Sequence, residues 1–104
     1  MKKLLFALGL CRKAGALTCG TPMICAELPK RRLILVLEAS DTSEGTHKKL
    51  TDKCRYYDVK HVRIHADGET LAAAVGKSGM LAAVAVSDKN LAELVEKACE
   101  SRIT

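Results

Sequence analysis

The chain reads as an α/β protein, a three-layer α/β/α sandwich around a small mixed four-stranded sheet, and three observations predict it. Leu33-Ile34-Leu35-Val36-Leu37 is an apolar run with no polar alternation, as expected of a strand covered on both faces. Met80 to Val86 is a second run of the same kind. Between and around them, helix-like periods with start and stop signals alternate with strand-like stretches, which is the pattern of helices packed on both faces of a sheet.

Residues 2–14 read as the first helix, with Leu4, Leu5, Leu8 and Cys11 along one face and Gly15 as a left-handed stop. An extended piece, Ala16 to Cys19, leads to Gly20-Thr21-Pro22. This is a helix start, with Thr21 as side-chain cap and Pro22 in the first turn, where a missing N–H costs nothing. Pro29 restricts Leu28 and ends the second helix near there. Lys30-Arg31-Arg32 forms a basic loop before the first central strand.

Glu38 to Ser43 is a cluster of turn and capping residues. The third helix starts at Asp41 or Ser43, with Asp41 and Glu44 at capping-box spacing. Its apolar stripe is Leu50, Cys54 and Tyr57, and Lys48, Lys49 and Lys53 lie outside. Asp58 ends it. Val59 to His65 is a strand, and Asp67 caps a short helix, Gly68 to Val75, closed by Gly76. After the Lys77-Ser78-Gly79 turn comes the second central strand. Ser87 or Asp88 caps a last helix with stripe Leu91, Leu94, Val95 and Ala98.

At 104 residues the chain makes one domain, 1–104. Its 17 Lys and Arg against 12 acids give a net charge of +5, which favours phosphate-bearing partners. Only three aromatics occur, Phe6, Tyr56 and Tyr57, too few for binding by stacking single-stranded bases. The five cysteines are odd in number and none shows C-x-x-C spacing, so reduced thiols in a cytoplasmic protein are expected. Met1 to Leu8 mimics the start of a secretory signal, but Arg12-Lys13 interrupts the apolar run too early. No run approaches transmembrane length, and no membrane partner is expected.

Three constellations invite a chemical reading. His61 and His65 share a strand face but sit about 13 Å apart at roughly 3.3 Å per residue, too far to hold one ion, and read as surface histidines. Cys19 and Cys25 flank a helix start, where a thiolate is stabilised, but no histidine falls beside them to serve as a base. Gly76-Lys77-Ser78 resembles the end of a phosphate loop, yet Leu71 stands where the upstream glycine belongs. No metal, no cofactor and no catalysis are therefore expected. What remains is the basic loop and the lysines of the third helix, which are expected to flank the Gly20 helix start, whose free amides suit phosphates, and to make one site with it.

Beyond these local signals, the order of elements resembles the L-seven-Ae family of kink-turn RNA-binding ribosomal proteins, and looks closest to its bacterial members. The similarity runs over roughly residues 4 to 98. It is carried by Leu8-Gly9-Leu10-Cys11-Arg12-Lys13-Ala14-Gly15, by Gly20 opening a helix, and by the strand ending in Ala39-Ser40-Asp41-Thr42-Ser43. It continues through Thr46-His47-Lys48-Lys49-Leu50-Thr51-Asp52-Lys53-Cys54 and Leu71-Ala72-Ala73-Ala74-Val75-Gly76-Lys77 into the apolar strand beyond.

The resemblance implies a three-layer fold and RNA binding without catalysis. It implies that polar residues after Gly20 contact sheared G·A pairs. Gly20 agrees with the family pattern, whereas Pro22, Met23 and Ala26 stand where polar or cationic residues belong. Ser40 takes the place of an acidic residue after the strand. Gly79-Met80-Leu81-Ala82 matches the apolar loop that packs on an extruded nucleotide.

The expected RNA surface is thus Gly20, Thr21, Pro22, Met23 and Ala26, with Ser40 and Asp41. Lys30, Arg31, Arg32, Lys48 and Lys49 would serve phosphates, and Met80, Leu81 and Ala82 an apolar base contact. The expected partner is structured RNA, a kink-turn or ribosomal RNA, bound by a monomer, with contact to the ribosome or to a transcription or translation factor. The competing expectation is a relative that has become a protein-interaction module, docking through the apolar Pro22-Met23-Ile24 surface.

Overall fold

A computed structural model describes residues 2–100; Met1 and residues 101–104 of the expected domain span lie outside the described residues. The chain runs α1 (Lys2–Lys13), β1 (Leu17–Cys19), α2 (Thr21–Glu27), β2 (Leu35–Glu38), α3 (Glu44–Tyr56), β3 (Lys60–Arg63), α4 (Gly68–Ala74), β4 (Ala83–Val86) and α5 (Lys89–Glu100). A single 3-10 turn, Leu28–Lys30, extends α2.

The four strands form one mixed sheet in the order β1-β4-β2-β3. β4 is antiparallel to both neighbours, with Leu17 and Leu35 each opposite Val86, and β2 runs parallel to β3 with Val36 opposite His61. Side chains alternate across the sheet. Leu35, Leu37, Val84 and Val86 face α1, α4 and α5, and pack with Leu4, Leu8, Cys11, Leu71 and Val95. Val36, Ala83 and Ala85 face α2 and α3, and pack with Ile24, Leu28, Leu50 and Cys54. The expected three-layer sandwich is therefore present.

Several local expectations are corrected. Thr21 is not a side-chain cap. Gly20 takes the N-cap position of α2 with φ 91°, and the buried Thr21 hydroxyl has no hydrogen-bond partner among the described residues. Asp41 does not pair with Glu44 in a capping box. Ser43 caps α3 by accepting the Thr46 N–H, while Asp41 is drawn across the molecule to the Gly68 N–H at 2.8 Å. The second central strand is shorter than its apolar run, because the Leu81 N–H turns aside to the Gly68 carbonyl and leaves only Ala83–Val86 in the ladder. Glu38, read as part of the turn, is the last residue of β2 and fully buried. In α5, Leu94 is exposed and Ala92 takes its place in the core.

Burial also sorts the cysteines. Cys11 and Cys54 lie in the two cores. Burial, with Cys25 and Glu38 nearby, pushes the Cys54 thiol up to about 11, and burial followed by the charge of Asp88 raises Cys11. Cys19 and Cys25 are half-buried. Brief treatment of the native chain with iodoacetamide near neutral pH should therefore modify Cys19 and Cys25 well before Cys11 and Cys54, as read by peptide mass spectrometry. Equal rates at all four positions would contradict this packing.

Candidate nucleic-acid interface

The strand directions dictate where a functional surface forms. β1, β2 and β3 all end where β4 begins, and α2, α3 and α4 each start just after one of those strand ends. Three helix N-termini are thus gathered at one edge of the sheet. Open α/β sheets carry their sites at such strand ends, and helix N-termini favour anions.

Hydrogen bonds lock the loops of this edge together. The Gly20 N–H donates to the Ala83 carbonyl, the Ala39 N–H to Ala82, and the Ser40 N–H to Ala66. The Thr42 hydroxyl donates to the Ala39 carbonyl at 2.8 Å and lies 3.3 Å from that of Ala82. The Arg63 guanidinium donates to the carbonyls of Ser40 and Thr42 at 3.1 and 3.3 Å. Asp67 caps α4, and its carboxyl is held below the usual carboxylate range by the Thr70 N–H and hydroxyl. The loop before β4 closes over this frame. Asp41, Thr42, Ser43, Thr46, Gly68, Met80, Leu81 and Ala82 line a shallow cavity of about 270 Å³. Met80 stands out of it, 66% exposed.

Gly68 is the keystone of that closure. A Cβ there would come within 3.0 Å of the Leu81 carbonyl and 3.4 Å of the Met80 side chain. Gly68→Ala should therefore displace residues 80–82, exposing the Leu81 amide to faster hydrogen exchange while the amides of β2 and β4 keep their protection. Unchanged exchange at Leu81 would refute the tight approach.

The expected site residues do not all meet. Gly20, Thr21, Pro22, Met23, Ser40, Asp41, Met80, Leu81 and Ala82 meet at the strand-end edge. Lys30, Arg31 and Arg32 do not. They follow the far end of α2, beside Ile34, whose N–H bonds the Val86 carbonyl at the opposite end of β4. Arg31 adopts φ 57° and lies over the Tyr57 ring at the far end of α3. The expectation that this basic loop flanks the Gly20 helix start is thus corrected, because α2 runs away from Gly20 and carries the loop with it. Lys48 and Lys49 project from the outside of α3, and Lys48 pairs with Asp52. Ala26 is exposed on α2.

Two other cations lie alongside β1, in a groove that Met23 joins to this edge. Arg12, which donates to the Val75 carbonyl, and Lys77 line a groove of about 240 Å³ with Leu17, Thr18, Cys19 and the exposed Met23. Arg12 and Lys77 are far apart in sequence and meet only through the α1 and α4 packing, so no local signal announces them. His61 is also corrected. It is not a surface residue: only 14% of its side chain is exposed, and its Nε2 lies 2.7 Å from Glu38 Oε1. His65 is exposed, as expected.

A family model described as the ribosomal protein L7Ae/L30e/S12e/Gadd45 family matches residues 2–96. The RNA-binding protein YlxQ of Bacillus subtilis (strain 168) is 35% identical over 85 residues, covering 82% of this chain and 83% of its own length. The RNA-binding protein YlxQ of Enterococcus faecium is 32% identical over 68 residues, covering 65% of this chain and 66% of its own length. Among solved structures, a protein of unknown function from Bacillus halodurans C superposes with a TM-score of 0.81 at 29% identity, over 92% of this chain and 99% of that one. The Giardia lamblia 15.5kD RNA binding protein superposes with a TM-score of 0.76 over 96% of this chain and 87% of that one; at 20% identity this shows the fold alone.

Proposed function

The chain belongs to the ribosomal protein L7Ae/L30e/S12e/Gadd45 family, with curated bacterial relatives of the YlxQ type, and from that premise we propose that it is a small non-catalytic RNA-binding protein that recognises kink-turn or related structured RNA. The observation that carries this reading is the convergence of the Gly20 helix start, the Ser40–Thr42 loop and the Met80–Ala82 loop on one edge of the sheet. The protein acts as one domain and a monomer in the cytoplasm, on structured RNA of the ribosome or in contact with a transcription or translation factor. Backbone amides of α2 and the cations Arg12, Lys77, Lys48 and Lys49 face phosphates. Met80 and Leu81 cover an extruded base. Pro22, Met23 and Ala26 offer no polar group to base edges, so recognition leans on shape and phosphates.

The test is titration against a magnesium-folded kink-turn RNA and a matched plain duplex at low and moderate salt. Selective binding that persists at moderate salt is the expected result. Equal, salt-sensitive binding to both RNAs would reduce the protein to a generic basic surface.

The second reading is a protein-docking module, and it rests on Met23, 56% exposed beside Pro22 on the same edge. Met23→Glu separates the two. If a protein partner docks there, the substitution abolishes its capture and leaves RNA binding unchanged. On the RNA reading it weakens RNA binding.

A further inference from the structure

We propose that Glu38, His47 and His61 form a binding site for a divalent transition-metal ion of the zinc class. Glu38 is an ionisable side chain with no exposed surface, set on a sheet face whose neighbours Val36, Ala83 and Ala85 are apolar. Such a group costs free energy unless something compensates its charge. Three side chains converge on it. His47, from the second turn of α3, places Nδ1 2.9 and 2.7 Å from the two carboxylate oxygens. His61, from β3, places Nε2 2.7 Å from Oε1. Arg63, two residues further along β3, places Nε 3.5 Å from Oε2.

The donor atoms are of the right kind and in the right place. Two imidazole nitrogens and one carboxylate oxygen lie within 4.8 Å of one another. A tetrahedral zinc ion with bonds of about 2.0–2.2 Å holds its ligand atoms roughly 3.4 Å apart. Binding therefore requires the His–Glu contacts to open by less than an ångström and the two imidazole nitrogens, which lie within 4.8 Å of each other, to settle at the same spacing. The imidazole rings already approach each other, with centroids 5.9 Å apart and planes tilted by 41°. The three ligands come from a central strand, its neighbouring strand and a helix packed on both, so the frame is rigid. The His47 side chain is 41% exposed, which gives the ion an entry path and leaves the fourth position to solvent.

Imidazole with carboxylate selects zinc-class ions over magnesium or calcium, which prefer oxygen ligands alone. With neutral imidazoles, binding needs only a tautomer change. The proton on each ligating nitrogen moves to the other ring nitrogen, which then carries the N–H, and the metal takes the lone pair that is freed. Arg63 balances the carboxylate and, through Ser40 and Thr42, links the cluster to the strand-end loop.

The experiment titrates the full-length chain, with its thiols reduced, with Zn²⁺ by calorimetry and with Co²⁺ by absorption spectroscopy. One equivalent is expected, with a ligand-field spectrum free of thiolate charge transfer. His47→Ala and His61→Ala should each weaken binding by at least about tenfold, while His65→Ala leaves it unchanged. His61 is the more buried of the two, so His47→Ala carries the test, with the far-ultraviolet circular dichroism of each variant confirming its fold. Absence of binding, binding that survives His47→Ala, or a cobalt spectrum with thiolate charge transfer (metal held by the cysteines) would each overturn the proposal. Each of these results would leave Glu38, His47 and His61 as a hydrogen-bonded cluster only.

Discussion

Glu38→Ala is expected to destabilise the fold by about 2–3 kcal/mol, measured by urea unfolding of the metal-free protein. The substitution removes the acceptor for His47 and His61 and the counter-charge of Arg63, and leaves a cavity between β2 and α3. Breaking a fully buried pair costs about 3–5 kcal/mol when the surviving charge cannot reach water. Here the side chains of His47 and Arg63 are 41% and 44% exposed and rehydrate, which keeps the loss below that range. His61, at 14%, does not. Glu38→Gln should cost less, about 1–2 kcal/mol, because its carbonyl still accepts one imidazole N–H while its amide faces donors. A loss under about 0.5 kcal/mol for the alanine variant, the level of an ordinary surface substitution, would show that the cluster does not hold the fold.

The second large effect concerns RNA. Met80→Glu should weaken binding to kink-turn RNA by roughly 10–100-fold, the equivalent of about 1–3 kcal/mol for one base contact. Because Met80 is mostly exposed, the fold should keep its unfolding midpoint, which separates recognition from stability. Reversing the charge of Arg31 and Arg32 provides the contrast. Those residues sit at the opposite end of β4 from Gly20, so their substitution should change the salt dependence by less than reversal of Lys77, which shares a groove with Met23, does. If Arg31→Glu with Arg32→Glu proves more damaging than Met80→Glu, the RNA does not sit on the strand-end edge.

The layers and most elements were legible in the sequence because they rest on local signals. Unbroken apolar runs marked β2 and β4, Gly15 and Gly76 marked left-handed helix stops, and Asp67 marked the start of α4. What was illegible rests on contacts between distant residues. Asp41 carries a capping-box pattern with Glu44, yet its carboxylate serves Gly68, 27 residues away. Glu38 lies in a turn-like string, and only the parallel pairing of β2 with β3 reveals that His61 and Arg63 point to its side of the sheet. The candidate interface was half legible. The loops at 40–41 and 80–82 were pointed to by the family resemblance, but the direction in which α2 leaves Gly20 decides where Lys30 to Arg32 end up. A charge count carries no such direction.

The strand order also bears on how the chain is made. β4 is the last strand to be synthesised, yet it lies between β1 and β2 and pairs with both. Among the described residues, β1 has no other strand neighbour. As the chain leaves the ribosome, β1 emerges early and waits, unpaired, for Ala83 to Val86. Until then only the parallel β2–β3 pair can form, with α2 and α3 resting on an incomplete floor. Completion of the sheet is therefore one late event that joins the two ends of the sequence, and contacts of such long separation are slow to form. During that interval the apolar faces of α1 and β2 stand open to solvent, so a nascent chain stalled before Val86 is the species most exposed to aggregation and proteolysis.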